Sequence, residues 1–252
     1  MSPPDLDRGH ALFLDLDGTL IDIAATPGAV VVPAGLPHLL QALQGQLGGA
    51  LAIVTGRPIG VIDDLLNPFV AVAAGEHGAS MRFPGGAVQA MPRDHAVPAA
   101  WREALSVAAD RWPGVLIEPK PHGFGVHYRR VPERGEDVWA LVRGLVPADH
   151  PHFRLIPARE AVEIGPRGVS KGLAVRQFMA RSPFTGRQPV FVGDDFTDEA
   201  GMEAARSYGG IGLRVAEAFG GEPASVRAWL QRGLESLQGR ASRPAVTVGA
   251  GP

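Results

Sequence analysis

Short unbroken apolar runs alternate with longer stretches of helical period in both halves of the chain. Ala11-Leu12-Phe13-Leu14 leads into Asp15-Leu16-Asp17-Gly18-Thr19, and Ala50 to Val54 ends in Thr55-Gly56-Arg57-Pro58. Val70 to Ala74 ends in Gly75-Glu76-His77-Gly78, Pro189 to Gly193 ends in Asp194-Asp195, and Gly209 to Val215 closes the series. Runs this apolar, stopped by glycine or polar residues, predict strands buried on both faces, as in a parallel sheet. Between them Leu36, Leu39, Leu40, Leu43 and Leu47 recur at helical spacing and stop at Gly48-Gly49. Further helices are predicted from Pro58 to about Leu66, from Ser170-Lys171-Gly172 to about Ala180, and, on the surface, from Val226 to Leu237. Thr19 to Val32 reads as loop, and from Gly239 onward the chain reads as a flexible tail.

Residues from about 89 to 165 keep a different rhythm. Trp101, Leu105, Ala108 and Trp112 mark a helix, and Val115 to Pro119 and Gly125 to Arg130 mark two strands. Val138, Leu141, Val142 and Leu145 mark a second helix, followed by strands at Phe153 to Pro157 and Ala161 to Gly165. Helix-strand-strand twice over predicts an antiparallel sheet with helices on one face. The expected fold class is therefore α/β: a Rossmann-like core with a central parallel sheet, residues 1–88 and 166–252, carrying a small αββαββ insertion at 89–165. The open face of the inserted sheet needs a cover, and the mouth of the main sheet is the natural one. Glu118 and Lys120 share one side of their strand, and Glu163 points away from Val162 and Ile164. Such charges can be solvated, or can hydrogen-bond a hydroxyl-rich ligand.

Composition narrows the classes. The 252 residues are 45% apolar and 20% charged, as in soluble globular proteins. A formal charge of -2 gives no electrostatic case for nucleic acid or an anionic membrane. The absence of cysteine excludes disulfides, thiolate catalysis and cysteine-bound zinc. The polar stretch Met1 to His10 lacks the apolar core of a signal peptide, so a cytoplasmic protein is expected.

The candidate chemistry sits at strand ends, where open α/β sheets bind ligands. Asp15 and Asp17 emerge on one side of the first strand and repel each other unless a cation or a proton intervenes. Thr55 and the amides after it stand at a helix N-terminus, a ready anion site, although Thr55 can also be a plain cap. His77, between glycines, reads first as a loop residue. Lys120 and Lys171 are the two lysines of an arginine-rich chain, and Lys171 opens a helix, contrary to the macrodipole preference for acids there. Asp194, Asp195, Asp198 and Glu199 crowd one strand end; the dipole of the following helix accounts for the last two but not for Asp194 beside Asp195. Acids for Mg²⁺, with Lys, Thr and amides for an anion, describe a phosphoryl site with an attacking carboxylate.

Asp15-x-Asp17-Gly18-Thr19, Thr55, Lys171 and Gly193-Asp194-Asp195-x-x-Asp198 resemble the four motifs of the haloacid dehalogenase superfamily. Gly75-x-His77-Gly78, Glu118-x-Lys120, His127-Tyr128-Arg129, Val162-Glu163-Ile164 and Lys171-Gly172 extend the likeness, from about Ala11 to Leu213, to its trehalose-6-phosphate phosphatase family. That resemblance implies Mg²⁺-dependent release of phosphate from trehalose 6-phosphate, with Asp15 as nucleophile, Asp17 as acid and base, and Thr55, Lys171 and Asp198 in support. It implies metal ligation by Asp15, Asp17, Asp194 and Asp195. Substrate contacts are expected from Asp15, Asp17, Gly18, Thr55, Gly56, Arg57, His77, Arg129 and, across the inserted domain, Glu118, Lys120 and Glu163. Two departures are Thr55 for the family's serine and Gly165 for an arginine near the hinge. Another sugar phosphate, such as sucrose phosphate or a glycosyl-phosphoglycerate, remains an alternative substrate, and a non-catalytic sugar-phosphate sensor an alternative role. A monomer is expected.

Overall fold

The computed structural model describes residues 2–91 and 97–241. Its main sheet is built from β1 (His10–Leu14), β2 (Leu51–Val54), β3 (Val72–Gly75), β4 (Ser80–Arg82), β5 (Val88–Ala90), β10 (Gln188–Gly193) and β11 (Ile211–Arg214), in the order β11-β10-β1-β2-β3-β4-β5. The first five in that order pair in parallel, and β4 and β5 continue the edge antiparallel. α1 (Leu36–Gln46) and α2 (Ile59–Leu66) carry the chain outward from β1 to β3; after the insertion it returns to β10, on the other side of β1. The strand order therefore reverses at β1 and β10, the crevice where such sheets bind ligands.

Strand parity sorts the core. Leu12 and Leu14 join Leu51, Ile53, Val190 and Val192 on the face covered by α1, α2 and α8 (Pro223–Ala241). Ala11 and Phe13 join Ala52, Val54 and Phe191 on the other face, under α5 (Lys171–Met179) and α6 (Glu199–Ser207). There Phe13, Phe178 and Phe184 sit with ring centroids 5.2 to 6.0 Å apart. α7 (Val215–Ala218) follows β11 directly.

The second sheet contains β6 (Leu116–Lys120), β7 (Gly123–His127), β8 (Phe153–Ala158) and β9 (Ala161–Pro166), antiparallel in the order β6-β7-β9-β8. α3 (Ala99–Arg111) and α4 (Gly135–Leu145) cover one face, where Trp101, Leu105, Val138 and Val142 pack on Phe124, Val126, Val162 and Ile164. The opposite face carries Glu118, Lys120, His127 and Glu163 toward the crevice of the main sheet.

Several elements differ from the sequence reading. The β4–β5 hairpin is additional: its strands are three residues long and β5 is exposed throughout, so neither leaves an apolar run to detect. The main sheet thus continues to Ala90. Pro58 lies just before α2, with extended ψ, rather than in its first turn. The last helix runs on through Gly239 to Ala241, because Val226, Trp229, Leu230, Leu234 and Leu237 anchor it on the main core. The rest of the expected tail, 242–252, lies outside the described residues. Among those described, no helix is long and apolar enough to cross a membrane.

Phe178 is fully buried on α5, whereas Leu173 on the same helix is 44% exposed. Phe178→Ala is expected to cost about 3–5 kcal/mol in urea unfolding, and Leu173→Ala less than about 0.5 kcal/mol. Equal losses would contradict this placement of α5.

Candidate active site

β1 stops where Asp15 begins, and the Asp15 amide donates to Val192 O at 3.0 Å, tying this aspartate to β10. That pairing brings Asp15 beside Asp194, the first residue after β10. Gly18 sits at φ 76, and a Cβ there would strike the Asp194 carboxylate; only glycine combines that backbone with that approach. Asp15, Asp194 and Asp198 each place a carboxylate oxygen within 4.8 Å of the others.

Lys171 enters this cluster from the start of α5. Its helix is capped by Ser170, whose Oγ accepts from the Leu173 amide at 3.1 Å, and the lysine side chain turns inward. Lys171 Nζ lies 2.8 Å from Asp15 Oδ1 and 2.7 Å from Asp198 Oδ1, and all three residues are buried. Asp198 uses its other oxygen to accept from the Asp195 amide at 3.0 Å. The Asp195 carboxylate turns instead to the Phe196 amide, forms a reciprocal capping box with Asp198, and is not one of the three acids that meet. Asp198 was expected only to support Lys171; the structure adds it to the acidic cluster.

One ammonium cannot offset three carboxylates. Burial would lower the Lys171 pKa, but Asp15 and Asp198 outweigh it and hold it above the usual lysine range. Burial raises the Asp15 pKa well above its ordinary value; Lys171 opposes this, and Asp198 and Asp194 reinforce it. Asp194 is pushed up to about 6 by burial, then by Asp198 and Asp195. A cluster of carboxylate oxygens carrying surplus negative charge fits a hard, oxygen-binding divalent cation.

Beside it, Thr55 follows β2, is buried, and accepts from the Arg57 amide at 3.3 Å. Arg57 turns back across the crevice. Its Nε donates to Asp17 Oδ2 at 2.6 Å and its Nη2 to Asp17 Oδ1 at 2.7 Å, a bidentate fork, while Nη1 donates to Pro27 O at 3.1 Å. Burial would lower the guanidinium pKa, and Asp17 raises it overall. The sequence reading placed Arg57 toward substrate; here it fixes the second aspartate.

The inserted sheet supplies the roof. Lys120 Nζ lies 2.7 Å from Glu163 Oε2 and donates to Gly56 O, on the loop after β2, at 3.0 Å. His77 Nε2, from the main domain, lies 3.2 Å from the same Glu163 oxygen. Burial alone would raise the Glu163 pKa, yet Lys120 and then His77 hold it well below the usual carboxylate range. Glu118 is lowered too: burial is overcome by a hydrogen bond with His127 (2.8 Å) and by Lys120. His127 had no role in the sequence reading beyond its motif. Glu118 pairs with Gly125 across the β6–β7 hairpin, which leaves His127 diagonal to Glu118 on the same face; that register was the available signal. Arg129 donates to Glu160 Oε2 at 3.2 Å, Arg159 O at 2.9 Å and, from the roof to the main domain, Ala24 O at 2.5 Å.

All of this encloses one pocket. Asp15, Asp17, Thr55, Gly56, Arg57, Lys171, Asp194 and Asp195 lie on its floor, and His77, Glu118, Lys120, His127, Arg129 and Glu163 are among the residues lining the rest. Of the expected site residues, Gly18 and Asp198 stand behind this lining, the first shaping the loop and the second holding Lys171. An acid cluster and a cation at the floor can take a phosphoryl group, and a roof of carboxylates, lysine and imidazole can take hydroxyls.

Comparison with known proteins agrees with this layout. A trehalose-phosphatase family model matches residues 13–227. The chain is 39% identical over 227 residues to a probable trehalose-phosphate phosphatase of Sinorhizobium fredii, covering 88% of this chain and 85% of that one. It is 35% identical over 234 residues to the trehalose-6-phosphate phosphatase of Escherichia coli K12, covering 93% and 86%. The C-terminal domain of the Candida albicans trehalose-6-phosphate phosphatase shares the fold, with a TM-score of 0.76 at 18% identity, covering 92% of this chain and 98% of that one. A haloacid dehalogenase-like hydrolase from Bacteroides thetaiotaomicron shares it at a TM-score of 0.52 and 13% identity. With its motifs, its two sheets and a family match from residue 13 to residue 227, the chain belongs to the trehalose-phosphatase family.

Proposed function

We propose that the protein hydrolyses trehalose 6-phosphate to trehalose and inorganic phosphate, acting as a cytoplasmic monomer through an aspartyl-phosphate. The observation that carries this reading is a single pocket with Asp15, Lys171 and Asp194 on its floor and Glu118, Lys120 and Glu163 on its roof. The main-sheet domain, which runs on through β5 to Ala90, serves as catalytic core, and the inserted antiparallel domain, whose last strand ends at Pro166, as the specificity cap.

In the first step Asp15 attacks phosphorus, and the bond to the sugar oxygen breaks as Asp17 protonates that oxygen. In the second, Asp17 takes a proton from water, the water oxygen attacks phosphorus, and Asp15 leaves as carboxylate. Lys171, held between Asp15 and Asp198, and Thr55 with the amides after it, bind phosphoryl oxygens. Arg57 holds Asp17 in place through both oxygens. Glu118, Lys120 and Glu163 take the sugar hydroxyls, with His77 and Arg129 beside them, and the cap excludes water until the leaving group departs. Mg²⁺, for which Asp15, the main-chain carbonyl of Asp17 and Asp194 are the proposed ligands with Asp195 reaching it through water, would neutralise charge on the phosphoryl oxygens.

Phosphate release from a panel of sugar phosphates, with and without Mg²⁺, tests the whole reading. Trehalose 6-phosphate is expected to be preferred and chelator to stop turnover. Preference for sucrose phosphate or a glycosyl-phosphoglycerate would replace the substrate, and tight binding without turnover would make the protein a sensor.

Asp15→Asn is expected to lower kcat by at least about 10³-fold with the fold intact, since the amide cannot serve as nucleophile; retained turnover would point to another attacking group. Glu118→Ala is expected to raise KM for trehalose 6-phosphate by about 10-fold or more, the scale of a lost charged hydrogen bond, and to leave p-nitrophenyl phosphate nearly unchanged. Equal effects on both substrates would remove the cap from sugar recognition.

Mg²⁺ at about 100 times its Kd is expected to stabilise the protein by about 2.7 kcal/mol, read as a rise in Tm. Asp194→Asn should lose most of that rise, and an undiminished rise in the variant would place the ion elsewhere.

A further inference from the structure

Behind the pocket wall, the two domains are joined by a contact the mechanism does not use. Glu76, in the turn after β3, is buried, and so is His122, in the turn between β6 and β7. Both Glu76 oxygens go to this one residue. Oε1 accepts from the His122 amide at 2.9 Å, and Oε2 lies 2.8 Å from His122 Nδ1, which donates to it. The other ring nitrogen, Nε2, is buried with no hydrogen-bond partner among the described residues, so Glu76 is the imidazole's polar anchor. Neither side chain lines the pocket.

The position of this pair gives it consequence. Glu76 and His77 are adjacent and both left-handed, at φ 49 and φ 60, a backbone that non-glycine residues adopt only where the surroundings enforce it. That turn aims Glu76 at the cap turn and His77 at Glu163. On the other side, His122 lies two residues beyond Lys120, the second group on Glu163. The two partners of Glu163 are thus each within two residues of one end of the Glu76–His122 contact.

We propose that Glu76 and His122 are positioning residues: a buried clasp that seats the cap on the core and sets the spacing of Lys120 and His77 about Glu163. This deepens the substrate reading above, on which its kinetic half rests. The clasp touches no substrate, so its loss acts on ligands that need the cap and spares those that need only the floor.

Glu76→Ala is expected to lower kcat/KM for trehalose 6-phosphate by about 10- to 100-fold, the scale of one or two charged hydrogen bonds, and that for p-nitrophenyl phosphate by no more than about 2-fold. His122→Ala keeps the amide bond and should lose less; the double variant should be no worse than Glu76→Ala. Glu76→Gln keeps one acceptor and should fall between, and it serves in place of Glu76→Ala where alanine does not fold. Independently of substrate, hydrogen exchange across residues 120–124 should accelerate in Glu76→Ala, while exchange in β1 and β10 stays at the parent rate. Unchanged exchange across 120–124, additive effects in the double variant, or equal losses on both substrates would overturn the clasp. A parent enzyme with no preference for trehalose 6-phosphate would overturn the substrate reading instead, and exchange would still decide the clasp.

Discussion

The site depends on a charge balance under the sheet's edge. Two buried carboxylates, Asp15 and Asp198, a half-buried third, Asp194, and one buried ammonium are packed together. Unpaired buried charge is costly, and like charges at this spacing cannot all be ionised without compensation. Lys171 compensates part, and does so from two sides at once, which is why burial fails to neutralise it. The remainder leaves Asp15 and Asp194 raised. The cluster is therefore poised for positive charge. A floor made only to stabilise the fold would hold apolar side chains here, since replacing a buried ion pair by packed hydrophobics is often neutral or favourable.

Topology creates that crowding. Asp15 and Asp198 are far apart in sequence, and each follows a strand that packs as ordinary core. Because the chain returns to the other side of β1, the ends of β1 and β10 become neighbours, joined by the Asp15 amide and Val192 O. α5 then starts at this edge, where Ser170 accepts from its first turn and Lys171 points down into the cluster. The cap repeats the division of labour on a smaller scale. Its helices bury one sheet face, and the residues left on the other are charged because they face the core's mouth and not its interior.

What could be read in the sequence was whatever leaves a local trace. The five parallel strands show as apolar runs, and Asp15, Asp194 and Lys171 show as charges that neither strand nor helix explains. Glu118, Lys120 and Glu163 fall together by strand parity alone. The Arg57–Asp17 fork and the Glu76–His122 contact leave no such trace, since each joins segments far apart in sequence, and the Glu118–His127 pair shows only once the hairpin register is known. Asp195 and Asp198 were told apart by the family resemblance, which pairs Asp198 with Lys171, more than by any local pattern. The capping box turns one carboxylate outward to an amide and sends the other inward to Lys171, and that choice belongs to the turn geometry. The β4–β5 hairpin was missed for the opposite reason: it is too short and too exposed to carry a pattern.

The roof's polar groups are not idle in this arrangement. Glu163 is taken by Lys120 and His77, Lys120 also by Gly56 O, and Glu118 by His127. A hydroxyl-rich ligand entering here must exchange these bonds, not simply add to them, so its net gain per hydroxyl is modest. Discrimination is sharper than affinity in such a site. A ligand with hydroxyls in register can share or replace each bond, whereas one that wedges the pairs apart without answering them leaves buried charges unpaired, and that penalty exceeds the gain from any single contact. Pairing across the domain boundary thus gives the roof its shape before a ligand arrives, and makes the fit of an entering hydroxyl-rich ligand, more than its contact area, what decides binding there.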